Sequence, residues 1–138
     1  MRASTFGFVF QDASLDPSRT VLDNLLETAL YRGVRREELI PLAHELVDRF
    51  EVSVPLGRRP GQISGGQAQR IGLCRALIGK PTVVLADEPT GNLDRRSGDA
   101  VVRGLRTFAE EGGCVVMVTH DDSVASQADV RLEQSGPS

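Results

Sequence analysis

Apolar residues recur along this chain with two different spacings, and the first of them predicts strands. Continuous apolar or aromatic runs occupy Phe6–Phe10, Thr82–Ala86 and Cys114–Thr119, and a shorter candidate lies at Asp129–Leu132. The second and third runs do not alternate with polar residues, which is typical of parallel strands that are covered on both faces. We therefore predict a sheet whose later strands are buried on both sides.

The second spacing, three or four residues, predicts amphipathic helices between the strands. These helices are expected after an N-cap at Thr20, over about Arg36–Phe50, over Gly66–Ile78, over Ser97–Glu110 and near Ser123. Pro41 falls near the first turn of its helix, where proline is tolerated. Alternating strands and helices predict an α/β fold with a mostly parallel sheet and right-handed crossovers. The tail at Gln134–Ser138 is expected to be loose.

Length and charge narrow the possible classes of protein. The 138 residues suit one domain, and a net charge of -3 argues against a general nucleic-acid binder, so no nucleic-acid partner is expected. The sequence shows neither a long apolar span nor a signal peptide, so a cytoplasmic location is expected. Cys74 and Cys114 lie in apolar stretches, and we expect both to be buried, reduced thiols.

Three of the predicted strands end next to residues with reactive side chains. Gln11 comes after the first strand, Asp87 and Glu88 come after the second, and His120 comes after the third. Open α/β sheets bind their ligands beyond the carboxyl ends of the strands. If the strands are parallel, these side chains gather along one edge of the sheet, which predicts an active site there.

The acidic pair offers two kinds of chemistry. Asp87 would have a carboxylate free to hold Mg²⁺, directly or through water. Glu88 precedes Pro89, which favours an extended backbone at Glu88, and it could act as a general base towards a water beside a phosphate. The alternative is that the two acids simply mark a strand end and a turn, and taken alone they leave both interpretations open.

A second candidate site is the start of the helix that follows Ile63. Ser64, Gly65, Gly66 and Gln67 open this helix, whose N-terminus offers free backbone N–H groups to an anion. The two glycines would let an anion approach closely, and the Ser64 hydroxyl would add a donor. The alternative, favoured for this segment alone, is a serine N-cap followed by flexible glycines.

Taken in order, these segments resemble the motifs of the ATP-binding domain of ABC transporters. The resemblance covers Phe6 to about Leu132, and Leu85–Asp94 is especially similar to the bacterial lipoprotein-release and macrolide-export branch. The matching segments are Phe8–Gln11 for the Q-loop, Ile63–Gln67 for the signature motif, Val83–Glu88 for the Walker B strand, Gly91–Asp94 for the D-loop and Thr119–Asp121 for the switch-histidine loop. The resemblance implies a P-loop NTPase fold in which about residues 12–65 form a helical subdomain.

The resemblance also implies how nucleotide would be bound. In this family two ATPase domains face each other head to tail, and each nucleotide lies between them. The signature residues Ser64, Gly65, Gly66 and Gln67 would contact the γ-phosphate of a nucleotide held mainly by the partner. Asp94 would couple the two sites across the interface.

The remaining roles follow from the same resemblance. Asp87 would serve Mg²⁺, Glu88 would polarise the attacking water, and His120 would contact the γ-phosphate of ATP. Gln11 would sense Mg²⁺ and transmit closure to transmembrane permease subunits, which would hold the domain on the inner face of the membrane. These roles amount to positioning and electrostatic stabilisation of phosphoryl transfer.

One motif of the family, the phosphate-cradling Walker A loop that ends in Gly-Lys-Ser/Thr, has no counterpart in this sequence. The only lysine is Lys80, and Pro81 follows it where the hydroxyl residue would stand. The chain is therefore expected to be a partial domain, without its upstream strand–loop–helix unit, that does not turn over ATP alone. Its sheet is expected to lack a middle strand, which would expose strand edges.

Two other functions are compatible with parts of this pattern. One is a non-hydrolysing partner that only presents the signature motif to another ATPase, although Glu88 and His120 would be unnecessary there. The other is a DNA-repair relative, which would carry a long coiled coil or a zinc module. The stretch between Gln11 and Ser64 has only 52 residues and no cysteine, which argues against that class.

Overall fold

The computed structural model describes residues 5–132, which form three strands and five α-helices in the predicted order. The elements are β1 Phe6–Phe10, α1 Val21–Tyr31, α2 Arg36–Arg49, α3 Gly65–Leu77, β2 Val83–Asp87, α4 Arg95–Glu110, β3 Cys114–Val118 and α5 Asp122–Ala125, with a short 3-10 turn at Pro60–Gln62. The predicted loose tail at Gln134–Ser138 lies outside the described residues. Among those described, no helix is both long and apolar enough to span a membrane.

The three strands form a parallel sheet in the order β1-β2-β3. Their register is flush, so that Phe10, Asp87 and Val118 are aligned at the carboxyl ends of the strands. The strands are direct neighbours, so no strand is missing between them, and a missing middle strand of a larger sheet stays a prediction. Any further strand has to join at an outer edge.

Polar residues with short side chains fix where the helices begin. The side chains of Thr20, Ser64, Asp94 and Asp121 each accept a hydrogen bond from a backbone N–H in the first turn of α1, α3, α4 and α5, respectively. Such caps satisfy N–H groups that have no partner within the helix. Because Asp94 is the cap, α4 begins at Arg95, two residues before the predicted start.

The hydrophobic core lies between one face of the sheet and helices α1 to α4. Val9, Val84 and Ala86 point into it and are almost fully buried. They belong to one cluster with residues from four helices, including Leu25, Leu39, Leu73, Val101 and Leu105. Residues 12–65 carry α1 and α2, whose apolar sides join this same core, and their treatment as a separate helical subdomain stays a prediction.

The opposite face of the sheet is uncovered within residues 5–132. Phe6, Phe8 and Phe10 of β1 and Val116 and Val118 of β3 are all between 47% and 59% exposed. The register puts these residues on one side of the sheet, which we call the open face, together with Val83, Leu85, Asp87 and Cys114. The prediction that β3 is buried on both faces is therefore wrong, and so is the prediction that Cys114 is buried.

Two other predictions fail at the level of local structure. No strand forms at Asp129–Leu132: Arg106 holds this segment on the surface of α4 by binding Asp129 at 3.0 Å, and Val130 and Leu132 are largely exposed. Pro41 lies in the second turn of α2 rather than its first. Its missing N–H removes one hydrogen bond from that turn, and the helix continues to Arg49.

Candidate functional site

The flush register brings the predicted reactive residues to one rim of the sheet. Gln11 comes directly after β1, Glu88 directly after β2, and His120 two residues after β3. Asp87 is the last residue of β2, aligned with Phe10 and Val118. The convergence of these four side chains at the carboxyl ends of the strands, expected if the strands were parallel, is present.

Glu88 and His120 are in direct contact at this rim. The backbone N–H of His120 donates a hydrogen bond to Oε1 of Glu88 at 2.5 Å, and Nε2 of its ring lies 3.8 Å from the same oxygen. The Glu88 side chain is only 19% exposed, whereas that of His120 is 96% exposed. Glu88 is therefore held by the protein, and the imidazole projects into solvent beside it.

The backbone of Glu88 has an unusual conformation. Its φ is 47°, in the left-handed region, so the extended backbone predicted from Pro89 is wrong. The N–H of Glu88 donates to Val118 O at 2.7 Å, and its carbonyl accepts from Gly91 N at 3.1 Å. These bonds impose a tight turn at the end of β2. A left-handed backbone conformation costs about 1–2 kcal/mol for a residue with a side chain, so Glu88, the candidate base, is itself strained.

Gln11 reaches across to the loop after β2. Its Nε2 donates to Oδ1 of Asn92 at 3.0 Å. A Cβ added at Gly91 would lie 2.9 Å from that same Nε2, which is closer than side chains tolerate. Gly91 therefore makes room for the Gln11 side chain, and the predicted Q-loop and D-loop segments touch in this structure.

Asp87 is exposed, and no described residue hydrogen-bonds its carboxylate. Within residues 5–132, the acidic, histidine and cysteine side chains nowhere gather in threes to form a metal site. One free carboxylate at this rim is a poor site for a metal that needs a full protein cage. It fits Mg²⁺, which binds through one or two carboxylates and completes its octahedron with water and phosphate oxygens.

The four residues at the start of α3 divide into structural and accessible groups. Ser64 Oγ accepts from Gln67 N at 3.2 Å, and Gln67 Oε1 accepts from Ser53 N at 3.1 Å. Both side chains therefore have structural partners, as the capping alternative expects. Ser64 and Gly65 remain exposed at the free N-terminus of α3, where an anion could still approach.

The two glycines have different surroundings. No heavy atom lies within 4 Å of a Cβ placed at Gly65, whereas one placed at Gly66 would lie 2.6 Å from Ser97 Oγ. Gly66 is thus required for the close approach of α3 to α4. Only Gly65 has the open space that was expected at both positions.

Asp94 stands at the start of α4 as its cap. Its Oδ1 accepts from Ser97 N at 3.3 Å, and hydrogen bonding by the Ser97 side chain lowers the pKa of this carboxyl, with a weaker contribution from Arg70. Asp94 is exposed, so it could still contact another molecule. Nearby, Arg70 is almost fully buried and donates to Glu51 O at 3.0 Å, while its Nε has no partner in the described part of the chain.

Gln69 is the residue that the sequence interpretation missed. It is 2% exposed, and its Nε2 donates to Phe10 O at 2.6 Å and to Pro89 O at 2.9 Å. One amide therefore ties the start of α3 to the ends of both β1 and β2. The one sequence signal for this role was that Gln69 lies in the predicted helix, two residues after Gln67. In the structure, the side of the helix that carries Gln69 faces the strand ends.

Lys80 lies far from this rim along the sheet. It precedes β2, whereas the reactive residues follow the strand ends, and its φ of 52° places it in a turn. Among residues 5–132, no hydrogen bond or ion pair joins the side chains of the signature residues to Glu88 or His120. Of the predicted site residues, the structure therefore unites Gln11, Asp87, Glu88 and His120.

The chain is similar to ATP-binding proteins of membrane transporters. It is 46% identical over 128 residues to macrolide export ATP-binding/permease protein MacB 1/2 of Paracoccus denitrificans, covering 93% of this chain and 19% of that protein. It is 43% identical over 136 residues to the lipoprotein-releasing system ATP-binding protein LolD of Myxococcus xanthus, covering 98% of this chain and 61% of that protein. The chain thus spans only part of the relatives that it matches.

Solved structures give the same result. The dimeric structure of MJ0796, a bacterial ABC transporter cassette, superposes with a TM-score of 0.78 at 37% identity, covering 89% of this chain and 55% of that one. The family model for ABC transporters matches residues 1–91. The chain therefore belongs to the ABC transporter family, and its α/β fold is that of the ATP-binding cassette.

Proposed function

We propose that residues 1–138 form part of an ATP-hydrolysing domain that drives a membrane transporter, with ATP and Mg²⁺ as its ligands. The observation that carries this proposal is the rim shared by Asp87, Glu88, His120 and Gln11. Phosphoryl transfer needs a metal ligand, a group that orients water and a donor to the terminal phosphate. These four side chains have the chemistry for those tasks.

Glu88 is the candidate general base. Its Oε1 accepts the amide of His120, and its other carboxylate oxygen has no hydrogen-bond partner among residues 5–132. That second oxygen can accept a hydrogen bond from a water and take its proton as the water attacks. The bond from His120 fixes the direction of the carboxylate, so that less ordering is needed at the moment of reaction.

His120 and Asp87 would act on the charged groups of the substrate. The His120 imidazole is 96% exposed and can donate a hydrogen bond to a phosphate oxygen while its backbone stays anchored on Glu88. Asp87, with help from the Gln11 amide oxygen, would hold Mg²⁺. When bound, this ion neutralises charge on the phosphates.

The exposed start of α3 is the proposed contact with a second ATPase domain. Ser64 and Gly65 are accessible, and they lie in a patch that makes no bond to this chain's own rim. A second domain could therefore present its nucleotide to them, with Gln67 and Gly66 holding the helix start and Asp94 adjoining it. Permease subunits would place the pair at the cytoplasmic side of a membrane.

A chimera tests this function. The segment of the Myxococcus xanthus relative that precedes its match to this chain would be joined directly ahead of the first matched residue of this chain, and ATP hydrolysis would be measured with Mg²⁺. We expect residues 1–138 alone to show no turnover, the chimera to hydrolyse ATP, and Glu88→Gln to reduce its kcat by at least about 100-fold. Glu110→Gln, on the exposed end of α4, is the matched control and should leave kcat unchanged.

Two results would contradict the proposal. If a folded chimera that binds ATP hydrolyses it equally well with Glu88→Gln, Glu88 is not the base. If the chimera never hydrolyses ATP but stimulates an unrelated complete cassette, the chain serves only to present its signature motif. The second result would favour the non-hydrolysing alternative.

A further inference from the structure

A basic cavity beside α3 and α4 has no task in the proposed function. We call it the arginine pocket. Its volume is about 390 Å³, and its lining residues are Glu51, Ser53, Gln67, Arg70, Arg96 and Arg103. Three guanidinium groups against one carboxylate give this lining a net charge of +2. The pocket therefore has the charge of a site for an anion.

Three segments of the fold bring these side chains together. Arg70 lies in the second turn of α3, Arg96 and Arg103 lie in α4, and Glu51 and Ser53 lie in the segment that follows α2. Arg96 and Arg103 are seven residues apart, so they lie on one side of α4, about 10 Å apart along its axis. The pocket is thus formed by the packing of separate elements and not by one loop.

Arg70 is the buried cation of the arginine pocket. It is only 8% exposed, yet none of the ion pairs within residues 5–132 includes it. Its Nη1 donates to Glu51 O at 3.0 Å, its Nη2 lies 3.4 Å from Ser97 Oγ, and its Nε has no partner there. Buried charges in proteins are normally paired, because an ion without an opposite charge is penalised by its loss of water. Arg70 therefore lacks an anionic partner.

The charges that the described residues offer compensate Arg70 only in part. The carboxylate of Glu51 pairs with Arg103 at 3.1 Å. Hydrogen bonding by Ser97 lowers the pKa of Asp94 most and the charge of Arg70 lowers it least, so Asp94 is a weak partner. Glu51 O lies at the carbonyl end of α2, where the helix dipole adds about half a negative charge. More negative charge is needed to balance the pocket.

We propose that the arginine pocket binds a phosphate-type dianion, carried either by inorganic phosphate or by a phosphate monoester headgroup. Two negative charges match the net charge of the lining. Arg96 forms no hydrogen bond or ion pair with another described residue, so its planar guanidinium is available for two parallel bonds to phosphate oxygens. Arg70 supplies the buried charge, and Arg103 is shared between Glu51 and the anion.

This site differs from both contacts proposed for ATP. None of the rim residues lines the arginine pocket, and neither do Ser64 and Gly65, the accessible residues at the start of α3. Only Gln67 is common to the pocket and the signature residues, and its Oε1 already accepts from Ser53 N. Arg103 lies more than two turns into α4. The inference therefore goes beyond the proposed function and does not depend on ATP turnover.

The first experiment titrates inorganic phosphate into residues 1–138 at neutral pH and constant ionic strength, without nucleotide or Mg²⁺. The readout is the NMR signal of the arginine Nε–H groups. We expect a saturable shift of the Arg70 signal, and at least about tenfold weaker binding in Arg96→Gln, because hydrogen bonds to a charged group are lost. Arg95→Gln removes the same charge one residue away, outside the pocket, and should leave the affinity nearly unchanged.

A second variant should change the affinity in the opposite direction. Glu51→Gln removes the only carboxylate of the pocket and releases Arg103, so phosphate binding should tighten severalfold. Glu110→Gln causes the same change in net charge at an exposed position outside the pocket and is the matched control. Tightening in Glu51→Gln alone would show that the anion binds among these residues and not by general attraction to the chain.

A second experiment distinguishes the two sources of the phosphate group. It measures sedimentation of residues 1–138 with phosphatidylcholine vesicles that contain phosphatidic acid, against vesicles of phosphatidylcholine alone. Saturable binding of inorganic phosphate assigns a soluble ligand. Sedimentation that requires phosphatidic acid and Arg96, without binding of inorganic phosphate, assigns a lipid headgroup.

Three results would overturn the inference. These are the absence of binding in both experiments, equal weakening in Arg95→Gln and Arg96→Gln, and an affinity that does not rise in Glu51→Gln. Burial raises the pKa of Cys74 to about 12, so slow modification of this thiol verifies that a variant is folded. Arg103→Gln replaces Arg96→Gln if the latter is not folded.

Discussion

The amide of His120 donates to the carboxylate of Glu88, so the loop after β3 holds the acidic side chain that follows β2. Glu88 also donates its own N–H back to Val118 O at 2.7 Å. These two bonds in opposite directions clamp the neighbouring strand ends together. They explain how Glu88 stays in a left-handed backbone conformation with φ at 47° although it has a side chain.

The strain at Glu88 can be separated from its hydrogen bond by two substitutions. Glu88→Ala and Glu88→Gly remove the same carboxylate, but glycine adopts the left-handed conformation without steric cost. We expect Glu88→Gly to be the more stable by about 1 kcal/mol, measured as the free energy of unfolding in urea. Within helices and strands an alanine variant is usually more stable than a glycine variant. A Glu88→Ala variant that is more stable than Glu88→Gly would therefore show that Glu88 is not strained.

Gly66 is predicted to be intolerant of a methyl group, whereas Gly65 is not. Gly66→Ala places its Cβ 2.6 Å from Ser97 Oγ, and overpacking of this kind costs about 1–3 kcal/mol in the free energy of unfolding. Gly65→Ala meets no atom within 4 Å and is the matched control. Ser97→Ala should recover part of the loss in Gly66→Ala. An equal effect of both glycine substitutions would contradict the close packing of α3 on α4.

Gln69 is predicted to hold the rim together through its two hydrogen bonds. Gln69→Met keeps the length of the side chain but leaves Phe10 O and Pro89 O without their donor. Each unsatisfied buried carbonyl costs about 1–3 kcal/mol, so we expect a loss of at least about 2 kcal/mol in the free energy of unfolding. Gln127→Met, at an exposed position, is the control and should change it little. A neutral Gln69→Met would show that water replaces the amide.

The sequence predicts the order of the elements and the convergence at the rim, because both depend on local patterns. Apolar runs, helical periodicity and polar caps specify β1 to β3 and α1 to α5, and parallel pairing then carries Gln11, Asp87, Glu88 and His120 to one edge. The residues at strand ends can therefore be identified without knowledge of tertiary contacts.

Other features depend on partners that are distant in the sequence. The continuous apolar run of β3 is typical of a strand covered on both faces, and its exposure in residues 5–132 depends on which helices reach each face. Gln69 gives no motif of its own, since its importance comes from carbonyls 59 and 20 residues away. The positive φ of Glu88 results from hydrogen bonds with β3 that override the local preference of a residue before proline.

The capping aspartates predict a specific acid sensitivity. Hydrogen bonds from Ser97 and Ser123, respectively, lower the pKa of Asp94 and of Asp121 below the ordinary 3.8. A lowered folded-state pKa contributes stability that is present above pH 3.8 and lost as the pH falls through the folded-state pKa.

Asparagine caps helices without titrating. In urea titrations at pH 6 and pH 3, Asp94→Asn with Asp121→Asn should therefore lose less stability than the wild type. Asp99→Asn, exposed within α4, is the control. Identical losses in the wild type and the double variant would show that these caps do not contribute to acid unfolding.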